Sequence, residues 1–177
     1  MSYNFLDKIY KSNSYSTSKD LYQKWAPSYD DELTENKYVT PLRCAQILSN
    51  YIKNKNIKIL DIGCGTGLSG FALKKNGFKS IDGLDLSEEM LKIAEQKKIY
   101  QSLFNFDLNN PTDFNHKYDA IIAAGVISPT HANPDTIISS YSMLKKKGLM
   151  IFSINDHALN DSLFFSSLNK IIQNKYI

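Results

Sequence analysis

The sequence predicts an α/β domain built on a mainly parallel sheet. Two observations carry that prediction. From residue 57 onward, short apolar runs suited to buried strands alternate with longer segments of helical periodicity. The first of those strands runs straight into a glycine-rich turn, Asp61-Ile62-Gly63-Cys64-Gly65-Thr66-Gly67, that opens a helix. In open sheets of this kind ligands bind outside the carboxyl ends of the strands, where strand order reverses. Attention therefore falls on the loops after Asp61, Leu84, Phe104 and Ala123.

Taken in order, residues 1–20 are polar and rich in serine, which predicts a loosely ordered lead-in with a short helix at 5–10. A helix over 19–25 should stop near Pro27, because a proline disfavours helical geometry in the residue before it. Residues 41–53 predict a second helix, with Leu42, Ala45, Ile47, Leu48 and Ile52 mostly on one face. Then come a strand at 57–62, a helix at 68–75 stopped by Asn76-Gly77, and a strand at 80–84 ending at Asp85. Ser87 can cap a helix over 88–98, with Glu88 and Glu89 favourably placed at its positive end. Strands at 99–104 and 118–123 follow. A helix at 135–146 has Lys145, Lys146 and Lys147 around its C-terminal end. A fifth strand at 148–154 and a final helix at 159–172 complete the alternation.

A chain of 177 residues with 42% hydrophobic and 22% charged residues suits one compact domain. The expected division is a lead-in at 1–20 and a domain at 21–177 whose first part, 21–55, forms a helical cap. The net charge of +3, from 21 basic against 18 acidic residues, is too even to imply a nucleic-acid or membrane partner. Cys44 and Cys64 form no metal-binding pattern, and one lies in a predicted helix, the other in the glycine turn, so reduced thiols are expected. No apolar run approaches the roughly 18 residues that span a bilayer, and the polar N-terminus does not read as a signal peptide. A cytoplasmic protein is the expectation.

The glycine turn carries the strongest chemical signal. Its glycines permit positive φ and let a ligand approach the backbone, and the helix start adds unpaired N–H groups suited to an anionic group. Two nucleotide readings compete. Gly65-Thr66-Gly67-Leu68-Ser69-Gly70 satisfies GxGxxG, the dinucleotide fingerprint, but its first glycine lies four residues past Asp61. Gly63, Gly65 and Gly67 instead form GxGxG behind an acid, and this register is preferred. No GxxxxGK[ST] occurs, which removes the P-loop reading.

Residues 59–67 resemble motif I of class I S-adenosylmethionine-dependent methyltransferases, whose loop wraps the methionine part of the cofactor. The resemblance continues in order. Asp85, in Gly83-Leu84-Asp85-Leu86-Ser87, is similar to the family's ribose-binding acid. Asp107, in Phe106-Asp107-Leu108, is similar to the acid facing the adenine amino group. Leu144-Lys145-Lys146-Lys147-Gly148 is similar to the turn before the fifth strand, with lysine where proline is usual. Ahead of motif I, Trp25-Ala26-Pro27-Ser28-Tyr29-Asp30 resembles the W-A-x-x-Y-D element of many small-molecule methyltransferases. Thr130-His131-Ala132-Asn133-Pro134 is similar to a G-H-x-x-P-like segment of the Williams–Beuren-region methyltransferase-like subgroup. The resemblance implies a Rossmann-like doubly wound sheet of order 3-2-1-4-5. It also implies S-adenosylmethionine held by Trp25, Tyr29, Asp61, Gly63, Gly65, Gly67, Asp85, Leu86, Asp107 and Leu108, with no metal. His131, on the loop beside the transferred methyl group, is the candidate catalytic side chain, as general base or as a group that shapes the loop. His116 and His157 have no supporting context.

Charged acceptors make the stronger hydrogen bonds, so one carboxylate can accept both hydroxyls of a ribose diol. The implied reaction is in-line displacement at the cofactor's methyl carbon, in which the protein supplies mainly alignment and desolvation. The segment after the fourth strand lacks the [ND]-P-P-[YFW] element of amino-directed nucleic-acid and glutamine enzymes. No Pro-Cys nucleophile and no basic RNA-binding module are visible. The expected acceptor is a small molecule. The likeness covers residues 22–177 and lacks the family's final antiparallel strand pair, which predicts a shortened domain, a dimer covering an exposed edge, or lost catalysis. Two rival readings stand beside an active enzyme: an inactive S-adenosylmethionine-binding regulatory or interaction protein, and a nicotinamide-dependent oxidoreductase using Gly65 to Gly70.

Overall fold

In the computed structural model, five parallel strands form one sheet in the order β3-β2-β1-β4-β5. Residues 5, 8, 21–108, 117–129 and 131–173 are described. Of the expected short N-terminal helix, residues 5 and 8 are helical, and the rest of the lead-in lies outside the described residues. The strands are β1 (Lys58–Ile62), β2 (Ser80–Asp85), β3 (Leu103–Asn105), β4 (Tyr118–Ile127) and β5 (Leu144–Ile154). The order reverses at β1 and β4, so the switch point lies above those two strands. All five strands are paired in parallel, and no antiparallel strand follows β5 among the described residues.

Parallel sheets are covered on both faces, and the side-chain alternation of β1, β4 and β5 serves two cores. Ile59, Ala120, Ile122, Leu149 and Ile151 face one layer, made by α2 (Thr40–Tyr51) and α3 (Leu68–Lys75) through Cys44, Ala45, Leu48, Ala72 and Leu73. Leu60, Ile62, Ile121, Ala123, Met150 and Phe152 face the other. There α5 (Asp135–Tyr141) and α7 (Ser162–Gln173) contribute Ile137, Phe164, Leu168 and Ile171. Both cysteines are buried and free.

Helix α3 begins and ends where the sequence predicts, and α4 (Glu88–Gln96) starts at Ser87, whose side chain accepts the Met90 N–H at 3.3 Å. Elsewhere the structure departs in four places for physical reasons. The first helix does stop at Trp25, ahead of Pro27, but the helical run resumes at once. Pro27 sits in the first turn of a 3-10 segment, Ala26–Ser28, where its missing N–H costs nothing, and α1 (Tyr29–Glu35) follows directly. Strand β3 is only three residues long, because Ile99 is spent on packing and Tyr100 turns its ring over the glycine turn. The predicted helix at 135–146 ends at Tyr141, and Leu144 already pairs with Tyr118, so the three lysines belong to the irregular start of β5 rather than to a helix end. Lys147 adopts φ +65 there, and Lys145 pairs with Asp119 at 2.9 Å. The last helix is broken in two at Asp161, whose carboxylate accepts the Phe164 N–H at 2.8 Å. Asn155 likewise caps α6 (Asp156–Asn160).

Candidate active site

The turn between β1 and α3 sits at the switch point, and its shape follows from its glycines. Gly63 takes φ +61 with its α-carbon so close to Val126 that a Cβ would stand 2.5 Å from a valine methyl. Gly65 takes φ +53, and a Cβ there would meet nothing within 4 Å, because the space over it is open cleft. Gly67, at φ +100, becomes the N-cap of α3. A ligand can therefore lie against the backbone at Gly65, where any side chain would occupy the same room. The third glycine of the dinucleotide register, Gly70, has a different reason to be small: a Cβ would stand 2.5 Å from the Tyr100 ring.

The three acids occupy three different settings. Asp61 is fully buried beneath the turn, accepts Ser69 Oγ–H at 2.7 and 2.8 Å and Tyr100 O–H at 2.6 Å, and does not line the cleft. Burial pushes its carboxyl up to about 7 against the opposing pull of those donors. Asp85 does line the cleft. One of its oxygens accepts the Gly65 N–H and the other the Ser87 N–H, each at 2.8 Å. Burial raises its pKa, and the backbone donors at Ser87, Gly65 and Leu86 oppose the rise. Asp107 is half-buried between Phe106 and Leu108, and those two neighbours form the wall at this point.

The cleft, counted out through its open mouth with the solvent there included, spans about 800 Å3. Its floor is Gly63 and Gly65, its polar side Asp85 and Ser87, and its apolar walls Leu86, Met90, Phe106 and Leu108. Across the opening stand Val126 and Ala132, carried by β4 and the loop beyond it. Met90, Phe106 and Val126 line the cleft without any sequence pattern that assigns them a role. Phe106 adjoins Asp107 and Val126 adjoins the end of the strong fourth strand, which are the only signals that could have marked them.

Residues 21–35 close the site from above. Trp25 is buried among Phe5, Tyr22 and Tyr29, its ring edge-on to Tyr29 at 4.6 Å. Tyr29 and Tyr22 line the cleft, whereas Trp25 stands behind them. Asp30 anchors this cap to the turn: it accepts Thr66 Oγ1–H at 2.5 Å and forms an ion pair with Lys97. His131 also lines the cleft. Its Nε2 meets the Tyr22 hydroxyl at 2.5 Å and its Nδ1 the Ser128 hydroxyl at 2.5 Å. Burial lowers its pKa to about 4, so the imidazole is neutral at physiological pH. Tyr22 was legible only as the first residue of the aromatic run before Asp30. Thr130 and His116 lie outside the described residues, and His157 is exposed, away from the cleft.

Among the described residues no group of three or more His, Cys, Asp or Glu side chains could hold a metal ion, and no helix is long and apolar enough to cross a membrane.

Residues 37–173 match a protein-family model described as a methyltransferase domain. Human methyltransferase-like protein 27, of the Williams–Beuren-region group, is 28% identical over 79% of the chain and 58% of its own length. The ribosomal protein L11 methyltransferase of Ruminiclostridium cellulolyticum is 27% identical over 76% of the chain and 46% of its own. A TehB-like SAM-dependent methyltransferase from Corynebacterium glutamicum superposes with a TM-score of 0.63, covering 85% of this chain and 82% of that one at 18% identity, a likeness of fold. The chain spans between about half and two thirds of the length of the first curated relatives it matches.

Proposed function

Since the chain belongs to the methyltransferase-domain family and has the 3-2-1-4-5 sheet of its class I, S-adenosylmethionine-dependent members, we propose that it transfers a methyl group from S-adenosylmethionine to a small-molecule acceptor. One observation carries this reading. A backbone cradle open at Gly65 and a cleft-facing carboxylate at Asp85 lie in one apolar-walled cleft at the switch point of the sheet.

The residues present suit that cofactor. The Asp85 carboxylate retains lone pairs beyond those used by Gly65 and Ser87, which a ribose diol can fill. Phe106, Leu108, Leu86 and Met90 give a flat apolar slot for a base, with Asp107 beside it for an exocyclic amine. Gly63 and Gly65 leave room for a chain along the backbone, while Asp61 and Gly67 fix the turn that shapes that room. Tyr29 forms the aromatic cover, whose face favours positive charge, and Trp25 packs edge-on behind it. Bound there, S-adenosylmethionine supplies an electrophilic methyl carbon that an acceptor's lone pair takes as the carbon–sulfur bond breaks and its electron pair leaves with sulfur. The protein's share is alignment and exclusion of water. His131, neutral and hydrogen-bonded to Tyr22, first orients that hydroxyl towards the cleft and can take a proton from an acceptor through it.

This reading treats residues 21–177 as one domain with a cap at 21–55, working in the cytoplasm on a small molecule without a nucleic-acid or membrane partner. Strand β5, at the edge of the sheet, is the place where two copies would pair as a homodimer. Calorimetric titration with S-adenosylmethionine and with NAD tests the cofactor: binding of NAD alone overturns the reading. Transfer of labelled methyl groups to a metabolite extract then tests the reaction, and a tight binder that labels nothing across broad extracts is a regulatory protein instead.

A further inference from the structure

Behind the cofactor cleft lies a second, partly open cavity of about 1010 Å3 counted out into solvent, and the two share Tyr22, Tyr29, Gly125 and His131 in their walls. The shared residues include both partners of the Tyr22–His131 hydrogen bond, which stands where the two spaces adjoin. Its remaining lining is unlike the cofactor side. Trp25 and Tyr38 give it aromatic walls, and Arg43 and Asp156 give it charge.

Among the described residues, two groups of this lining have no hydrogen-bonding partner in the protein, the solvent-exposed Arg43 guanidinium and the buried Trp25 indole. Arg43 is the only arginine among the 21 basic residues of the chain. It projects from α2 into this lining, and its guanidinium makes no hydrogen bond or ion pair among the described residues. A guanidinium offers a planar fork of donors that fits a carboxylate or phosphate bidentately, which a lysine does not. Trp25 is 1% exposed, and its indole N–H is buried without an acceptor. Native proteins leave few such groups, because each loses its hydrogen bond to water with nothing in return.

We propose that this cavity takes the methyl acceptor and that the acceptor is a small, singly charged carboxylate with an apolar, ring-sized body, its carboxylate held by Arg43. The inference rests on the reading that the adjoining cleft holds S-adenosylmethionine. The aromatic walls select the apolar body. Asp156, in the same lining, repels a second negative charge and so disfavours a phosphate monoester against a carboxylate. The carboxylate is the anchor, and the accepting atom is the one that reaches Tyr22 and His131.

Trp25 is the sole tryptophan of the chain, so its emission reports occupancy of this cavity directly. The protein is first titrated with S-adenosylhomocysteine by calorimetry; failure at that step removes the cofactor reading. With that ligand saturating, benzoate, benzamide, benzylamine and phenyl phosphate are titrated while Trp25 emission is followed. Benzoate should give a saturable change, benzamide and benzylamine should bind at least roughly ten-fold more weakly, and phenyl phosphate should not surpass benzoate. Arg43→Gln should weaken benzoate roughly ten-fold or more with S-adenosylhomocysteine affinity unchanged, and Arg43→Lys should recover part of the loss. The proposal is overturned by no saturable response to benzoate, by equal binding of benzamide, by tighter binding of phenyl phosphate, or by wild-type benzoate affinity in Arg43→Gln.

Discussion

Replacing Asp85 by alanine separates two duties that one carboxylate performs. In the protein alone, Asp85 accepts the Gly65 and Ser87 N–H groups at 2.8 Å each. Alanine leaves both donors without their acceptor in a buried setting, at ~1–3 kcal/mol each. For a domain of this size that predicts a melting temperature lower by roughly 4–24 °C. With cofactor bound, the same carboxylate is expected to accept two ribose hydroxyls, each worth ~1.5–3 kcal/mol to a charged acceptor. S-adenosylhomocysteine should then bind about 10²–10⁴-fold more weakly. Thermal melting and calorimetry on Asp85→Ala and Asp85→Asn measure the two effects separately. Asparagine keeps an acceptor oxygen, so it should restore part of the melting temperature and part of the affinity. A variant that melts early yet binds S-adenosylhomocysteine as the wild type does would show that Asp85 only holds the turn, and the reasoning would fail. Acidification offers a second check: burial raises this pKa, so affinity should begin to fall at a higher pH than an ordinary carboxylate would dictate.

His131→Ala should lower turnover roughly ten-fold or more while leaving S-adenosylhomocysteine affinity near wild type; an unaltered rate reduces His131 to a structural residue. Its folded pKa of about 4 lies below the ordinary 6.5, so the unfolded chain takes up the proton first. The stabilising contribution is complete above 6.5 and is lost as pH falls towards 4, by up to ~3 kcal/mol less what water in the cleft recovers. Denaturant unfolding of His131→Phe should show less loss over that window than the wild type, and identical pH slopes would sink the idea. Asp61 runs the opposite way: its folded pKa, raised to about 7, gives a contribution that is present below the ordinary 3.8 and lost as pH rises through 7. Asp61→Asn should therefore gain on the wild type between pH 5 and 8, and a constant difference across that range contradicts it. Asp30→Ala severs the cap from the turn at Thr66 and Lys97. Hydrogen exchange over residues 21–35 should accelerate while the sheet stays protected, and unchanged exchange there shows that the aromatic cluster holds the cap alone.

The alternation of strand and helix was legible because each buried strand is a short apolar run and each helix carries an apolar face. Helix α3 and the start of α4 came out correctly because their ends are marked by chemistry: a glycine turn, Asn76-Gly77, and the Ser87 cap. Boundaries failed where tertiary pairing overrode local preference. Leu144 pairs with Tyr118 and draws Lys145, Lys146 and Lys147 into β5, although three lysines after a helical run suit a helix end. Helix α1 stayed hidden because Pro27 reads as a stop with nothing assigned beyond it, whereas Asp30, Asp31 and Glu32 occupy the first turn of a further helix, where acids are favoured. The cap's contacts were hidden for a simpler reason. Thr66 reaches Asp30 across 36 residues and Tyr22 reaches His131 across 109, separations that no periodicity connects.

Asp61 and Asp85 show where pattern reading of a site stops. Each follows a short apolar strand, each precedes a turn, and the sequence treats them as equal candidates to face a ligand. They even point to the same side of the sheet, since Asp61 alternates with Ile59 and Asp85 with Ile81, two residues of one core. Register separates them. Asp61 is level with Gly83 across the β1–β2 ladder, so Asp85 stands two residues, about 6–7 Å, nearer the open end. At the level of Asp61 the sheet is still roofed by α3 and by the Tyr100 ring, which lies over Gly83 and donates its hydroxyl to Asp61. At the level of Asp85 that roof has ended and the cleft begins. A position two residues further along the ladder thus turns the same residue type from a buried brace into a cleft-facing acceptor. Register is a property of the pair of strands, and neither strand's sequence contains it.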